Sequence, residues 1–154
     1  MKEGSMFYNN DNKFPKETEQ PGRERVIDLK TFLDERGNLT VVENIGNPIP
    51  FDIKRLFYIY NVDYSERGKH RHKITRQVAI CLSGACTIDV NDEDRVVTSY
   101  RLDKPSIGLL LEPKDFHTMK DFTKDAILMV FASELYKPDD YIYENYPAGT
   151  TQTE

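Results

Sequence analysis

The chain of 154 residues carries three histidines, His70, His72 and His117. His70 and His72 are one residue apart, and residues i and i+2 of a β-strand leave the same face. Two imidazoles held side by side suit either metal ligation or proton transfer near neutral pH. The competing reading is a solvated face, because Lys69, Arg71 and Lys73 flank the pair. Tyr58 and Tyr60 also share one strand face, as a pair of hydroxyls or as wall aromatics.

Strands must position these groups. Leu39–Glu43 is a short β-branched run after the turn triplet Arg36-Gly37-Asn38. Ile53–Tyr60 is rich in aromatic and β-branched residues, and Arg76–Leu82 is another such run, stopped at Ser83-Gly84. Cys86–Val90 follows at hairpin distance, then Arg95–Leu102, Ile107–Leu111 and Ala126–Ala132. The last is apolar throughout, as a strand buried on both faces would be. Short strands at near-regular spacing predict an all-β sandwich or barrel. Between Glu134 and Tyr146 there is room for a turn or two of helix, limited by Pro138 and Pro147. Residues 1–24 are polar and aperiodic and read as a flexible or strapped-on arm, residues 25–146 as one domain, and residues 147–154 as a frayed end.

Composition excludes several classes. Twenty-one Lys and Arg against 26 Asp and Glu give a net charge of −5, so a broad nucleic-acid footprint is not expected. No apolar run approaches the roughly 20 residues of a membrane span, and the N-terminus lacks a signal-peptide core. Cys81 and Cys86, the two cysteines, form neither a disulfide framework nor a metal knuckle. They read as structural thiols of a reducing cytoplasm.

The run Gly68-Lys69-His70-Arg71-His72, then Gln77 and Gly84, then Gly108, Pro113, Asp115 and His117, resembles the two signature motifs of the cupin superfamily. That resemblance implies a jelly-roll β-barrel with all three histidines on ligand positions. Gln77 stands where metal-binding cupins usually carry Glu. A neutral amide is a weak ligand for a transition metal and cannot offset its charge. The expected use is therefore metal-free, with no cofactor.

A narrower resemblance covers about Asp28 to Tyr146. Ile53–Val62, Arg67-Gly68-Lys69-His70-Arg71-His72-Lys73, Gly108–Pro113, His117–Phe122 and the Tyr136–Tyr146 ending are similar to the sugar 3,4-ketoisomerases of nucleotide-sugar metabolism. It implies a dimeric, metal-free isomerase. Such an enzyme converts dTDP-4-keto-6-deoxyglucose to a 3-keto isomer for deoxy-amino-sugar synthesis. Arg71 departs from the family's usual Ala and alternates away from both histidines.

Moving a ketone from C4 to C3 needs a proton removed at C3 and one delivered at C4, through an enediol or enediolate. His72 is the expected base or acid and His70 its partner, and one histidine doing both transfers is equally open. The resemblance makes Tyr58 a candidate hydroxyl near the sugar oxygens. Arg67 and Lys73 are expected to stabilise the enediolate or hold the diphosphate, with Arg better suited to bidentate contact. Gln77 is expected to orient a sugar hydroxyl or a histidine, and His117 to line the cavity. The alternatives are a metal-dependent cupin enzyme, which Gln77 disfavours, and a non-catalytic nucleotide-sugar-binding cupin, which would not need paired bases.

Overall fold

The computed structural model describes residues 25–43 and 48–147. The expected arm, residues 1–24, lies outside them, as does all of the expected frayed end but its first residue. Twelve strands run in chain order: β1 (Val26–Asp28), β2 (Lys30–Asp34), β3 (Gly37–Val41), β4 (Arg55–Tyr60), β5 (Arg67–His72) and β6 (Gln77–Ser83). There follow β7 (Cys86–Asn91), β8 (Val97–Leu102), β9 (Ile107–Leu111), β10 (Phe116–Lys120), β11 (Ile127–Ala132) and β12 (Tyr141–Ile142). A three-residue 3-10 turn, Pro138–Asp140, with Pro138 opening it, precedes β12.

Two five-stranded antiparallel sheets form the body, in the orders β1-β9-β6-β11-β4 and β12-β5-β10-β7-β8, with β2-β3 as a separate hairpin. This is the jelly-roll architecture that the cupin resemblance implies, within the sandwich-or-barrel class that the strand spacing predicts. Between the sheets lies one apolar core. The first sheet supplies Ala79, Cys81, Leu109, Leu111, Leu128 and Val130, and the second Cys86, Ile88, Val90, Leu102 and Met119. Both cysteines are fully buried there as free thiols.

A smaller cluster covers the outer face of the first sheet, where Leu29 and Ile49 pack on Val78, Ile80 and Phe131. The strand buried on both faces is therefore β6, with Val78 through Cys81 at 1% exposure or less. In β11 the inward Leu128, Val130 and Ala132 are buried, but Ile127 on the other face is 37% exposed. The covering segment reaches Phe131 and stops short of Ile127, so an uninterrupted apolar run did not mean burial on both sides.

Three strands escape a hydrophobic-pattern reading. β5 reads Arg-Gly-Lys-His-Arg-His, and the residues it turns inward are histidines. β10 carries Phe116, His117 and Met119 as buried residues within a polar sequence. β12 is two residues long and is held by pairing Tyr141 with His72 and Ile142 with Arg71.

Candidate active site

Strands β5 and β10 bring the three histidines together. His70 and His117 are register partners, and Val90 of β7 lies on His117's other side. The register shifts by one residue here, with Thr118 opposite Gly68 and His117 opposite His70. Lys69 is the extra residue of this β-bulge, at φ 57°, and Gly68 precedes it at φ 78°. A Cβ on Gly68 would lie 2.8 Å from the His117 carbonyl oxygen and 3.3 Å from its ring. Glycine is thus required twice over, for the backbone angle and for the close approach of the two strands.

The rings pack edge to face. Centroids are 4.9 Å apart for His70 and His72 and 4.7 Å for His70 and His117. His72 is 3% and His117 1% exposed, while His70 is half-buried.

Each Nδ1 faces an oxygen that can only accept. His70 Nδ1 lies 2.9 Å from the Gly68 carbonyl, His117 Nδ1 3.1 Å from the Asp115 carbonyl, and His72 Nδ1 3.0 Å from Asp140 Oδ2. The proton of each neutral ring must therefore sit on Nδ1, which leaves Nε2 as a lone pair. Nε2 of His72 and of His117 is buried without a partner among the described residues.

Burial holds the three rings neutral. It pushes His117 down to about 3, with repulsion from His70 as the next cause. Burial and the neighbouring His70 lower His72, against the opposing pull of Asp140, and Arg55 adds a small push downward. Burial also lowers His70. Neutral imidazoles with free Nε2 atoms are poised as bases.

Asp140 was not among the residues expected at the site. Its Oδ1 accepts the backbone N–H groups of Lys73 and Ile74 at 3.0 and 2.8 Å. Its Oδ2 accepts Thr75 Oγ1 as well as His72. Burial raises its pKa, but these hydrogen bonds from Thr75, Ile74 and His72 together prevail and hold the carboxyl below its usual range. A carboxylate that fixes the tautomer and orientation of a histidine is a recurrent arrangement for a general base. The same C-terminal strap lays Tyr141 against both rings, at 4.8 Å from His70 and 4.5 Å from His72. Tyr136 packs behind it at 5.6 Å.

The first sheet lies across the core from the histidines. Register places Arg55, Ala132, Gln77 and Leu111 in one row, and partners in register point to one side of a sheet. Gln77 is 2% exposed and its Oε1 lacks a partner among the described residues, as does Nε of Arg55.

Of the expected residues, the structure brings together His70, His72 and His117, with Gln77 on the inward face of the opposite sheet. It does not bring Tyr58 to them. β4 alternates exposed and half-buried residues, and Tyr58, 61% exposed, leaves the face opposite to Arg55 and Phe57, beside Tyr60. Arg67 and Lys73 are exposed, at the two ends of the β5 segment. Arg71 turns outward as expected, donating to the Glu144 carbonyl and stacking on Tyr146, so that it holds the strap.

The candidate ligand atoms of His70, His72 and His117 all lie within 4.8 Å of one another. Three imidazoles so grouped could hold a divalent transition metal with positions left open to a substrate. No carboxylate belongs to that group, so the metal's charge would go unneutralised.

Comparison with known proteins agrees with this geometry. Residues 23–148 match the family model described as FdtA: WxcM-like, C-terminal. The chain is 41% identical over 125 residues to a TDP-4-oxo-6-deoxy-alpha-D-glucose-3,4-oxoisomerase of Aneurinibacillus thermoaerophilus, covering 79% of this chain and 88% of that protein. It superposes with a TM-score of 0.74 and 41% identity on a variant of the 3,4-ketoisomerase QdtA from Thermoanaerobacterium thermosaccharolyticum in complex with TDP-4-keto-6-deoxyglucose, covering 77% of this chain and 86% of that one. The rmlC epimerase of Mycobacterium tuberculosis, 18% identical with a TM-score of 0.65 over 81% of this chain and 70% of its own, shares the fold. A cupin jelly roll with a buried three-histidine cluster and this similarity place the chain in the FdtA/WxcM-like family, with the sugar 3,4-ketoisomerases.

Proposed function

We propose that the protein is a TDP-sugar 3,4-ketoisomerase that converts TDP-4-keto-6-deoxyglucose into a 3-keto isomer by histidine-mediated proton transfer. The observation that carries the mechanism is the hydrogen bond between His72 Nδ1 and Asp140, which fixes the Nδ1–H tautomer and leaves a buried Nε2 without a partner among the described residues. His72 takes the proton from C3 and the carbonyl electrons move onto O4. A proton passes from O3 to O4, and the histidinium, after exchanging its proton with solvent, protonates C4. His70, half-buried and edge-on to His72, is the partner that serves the neighbouring carbon or relays the proton. Gln77 supports the sugar hydroxyls through its buried carboxamide oxygen.

The reading needs no metal. It is tested by proton NMR in deuterated water with chelator-treated protein and TDP-4-keto-6-deoxyglucose. The expected result is migration of the ketone to C3 with deuterium entering at C4, the coupling constant there giving the stereochemistry. Activity that disappears on chelation and returns with added metal would favour the second reading, a metal-dependent enzyme on the same three histidines.

Two further parts of the proposal concern the surroundings. An apolar row, Leu56, Tyr58, Tyr60 and Ile127, is exposed where the outer face of the first sheet ends at β4. It supports a homodimer, and a monomer mass in sedimentation would refute that assignment. Buried free thiols at Cys81 and Cys86 suit a reducing cytoplasm.

A further inference from the structure

The geometry points to Arg55 as the cation that binds the enediolate, an inference that rests on the ketoisomerase reading above. Arg55 opens β4 and turns its side chain to the inner face, with its guanidinium carbon 5.4 Å from the Phe57 ring centroid and 5.8 Å from that of Tyr136. Tyr136 packs at a tilt against Tyr141, and Tyr141 edge to face against His72, so the guanidinium belongs to the same aromatic wall as the base. Its charge is felt at His72. In the strand row its neighbour is Ala132 and the next residue Gln77. The small Ala132 leaves room between two long polar side chains.

Nε of Arg55 is buried with no acceptor among the described residues. A charged donor left so is costly, and proteins keep such groups where function uses them. The missing acceptor must be brought in, and must be anionic or strongly polar. Removal of the C3 proton by His72 places a negative charge on O4, and proton transfer between the oxygens moves that charge to O3. The two oxygens are adjacent and coplanar across the C3–C4 double bond. A planar guanidinium presents several N–H groups in a fixed fork, which matches two neighbouring oxygens better than an ammonium does. The cation is fixed before the charge develops, the condition under which electrostatic stabilisation is most effective. It also opposes protonation of His72 before substrate arrives. Arg67 and Lys73, the cations expected for this part from the sequence, are exposed and leave it to Arg55.

The test compares wild type, Arg55→Gln and Arg55→Lys by steady-state kinetics, by C3–H exchange into deuterated water and by affinity for TDP. Arg55→Gln is expected to lower kcat by about 10²–10³-fold, with exchange falling in parallel. KM and TDP affinity should stay near wild type, and added guanidinium salt should restore part of kcat to Arg55→Gln. Arg55→Lys should fall between the two. Thermal melting of Arg55→Gln should drop only slightly, by the loss of the contacts with Phe57 and Tyr136, because Nε gives up no hydrogen bond among the described residues. A raised KM and weakened TDP binding at preserved kcat would make Arg55 a diphosphate contact and overturn the proposal. Unchanged kinetics would overturn it too, as would a kcat loss tracked by a markedly lower melting temperature and indifferent to guanidinium. Should wild type itself leave the sugar's C3 hydrogen in place, the ketoisomerase reading falls and this inference with it. Failure confined to the variants removes Arg55 alone.

Discussion

His72→Asn is expected to reduce ketoisomerisation by at least about 10³-fold, the scale of a general base in such reactions. Asparagine is the informative replacement because its Nδ2 can stand where Nδ1 of the imidazole stands, and so can keep the hydrogen bond to Asp140. What is removed is Nε2, the free lone pair. Turnover and C3–H exchange should vanish together while TDP binding persists. Equal loss of binding, or a full rate of exchange, would sink the assignment of His72 as base.

The wild-type pH profile belongs to the same prediction. His72 must be neutral to accept a proton, and burial with the neighbouring His70 holds its pKa below the usual value near 6.5. Activity should be full above that value and fall as pH drops through the lower folded pKa, so the acid limb lies below about 6.5. Stability follows the same direction. His70, His72 and His117 are all lowered on folding, and below about pH 6.5 the unfolded chain binds more protons than the folded one. Their contribution is complete above that pH and is lost progressively toward the His117 value of about 3. Melting curves across this range, with His117→Gln for comparison, check the sign. A melting temperature that rises on acidification in this window would contradict it.

Asp140→Asn should cost kcat about 10³–10⁴-fold at nearly unchanged KM, by the logic of a carboxylate that dictates tautomer. Lys73 and Ile74 donate backbone N–H groups to one oxygen of Asp140, so the carboxamide must keep its oxygen there. Its NH₂ then faces His72 Nδ1 and Thr75 Oγ1. Two donors cannot share a hydrogen bond, so the imidazole moves its proton to Nε2 and loses its lone pair toward the substrate. Nitrogen NMR of His72 reads this directly, as an exchange of the protonated and unprotonated ring nitrogens. A variant that retains its rate, or that slows with the original tautomer in place, would leave Asp140 a structural clasp only.

How far the site was legible differs from residue to residue. His70 and His72 follow from the two-residue period of a strand, and the period survives the bulge at Lys69 because the extra residue comes before both. His117 is 45 or more residues away from either, and only its place in the second motif announced it. For β4 the strand was readable but its facing was not. Leu56-Phe57-Tyr58-Ile59-Tyr60 is apolar or aromatic at every position, so the alternation has no visible phase. Tyr58 was therefore named from the family resemblance alone, and Arg55 was missed. Phase was available for Lys73, which follows His72 directly, but not for Arg67, because the bulge at Lys69 shifts the alternation and pairs Arg67 with the inward Met119. Asp140 lies 68 residues from the ring it holds, and nothing in its own surroundings marks that pairing. The Pro138-Asp139-Asp140 turn was the one hint, and it marks a turn more readily than a partner.

The clasp has a consequence for the order in which an active molecule is made. Protein synthesis runs from N-terminus to C-terminus, and domains begin to fold as they emerge. The barrel strands through β11 and all three histidines leave the ribosome before Asp140, Tyr141 and the pairing of β12 with β5. A chain interrupted after Ala132 could assemble both sheets and still lack the group that aligns its base. Competence is therefore conferred only when Asp140 and β12 join the barrel, and molecules lacking them hold the three histidines without the carboxylate that aligns His72.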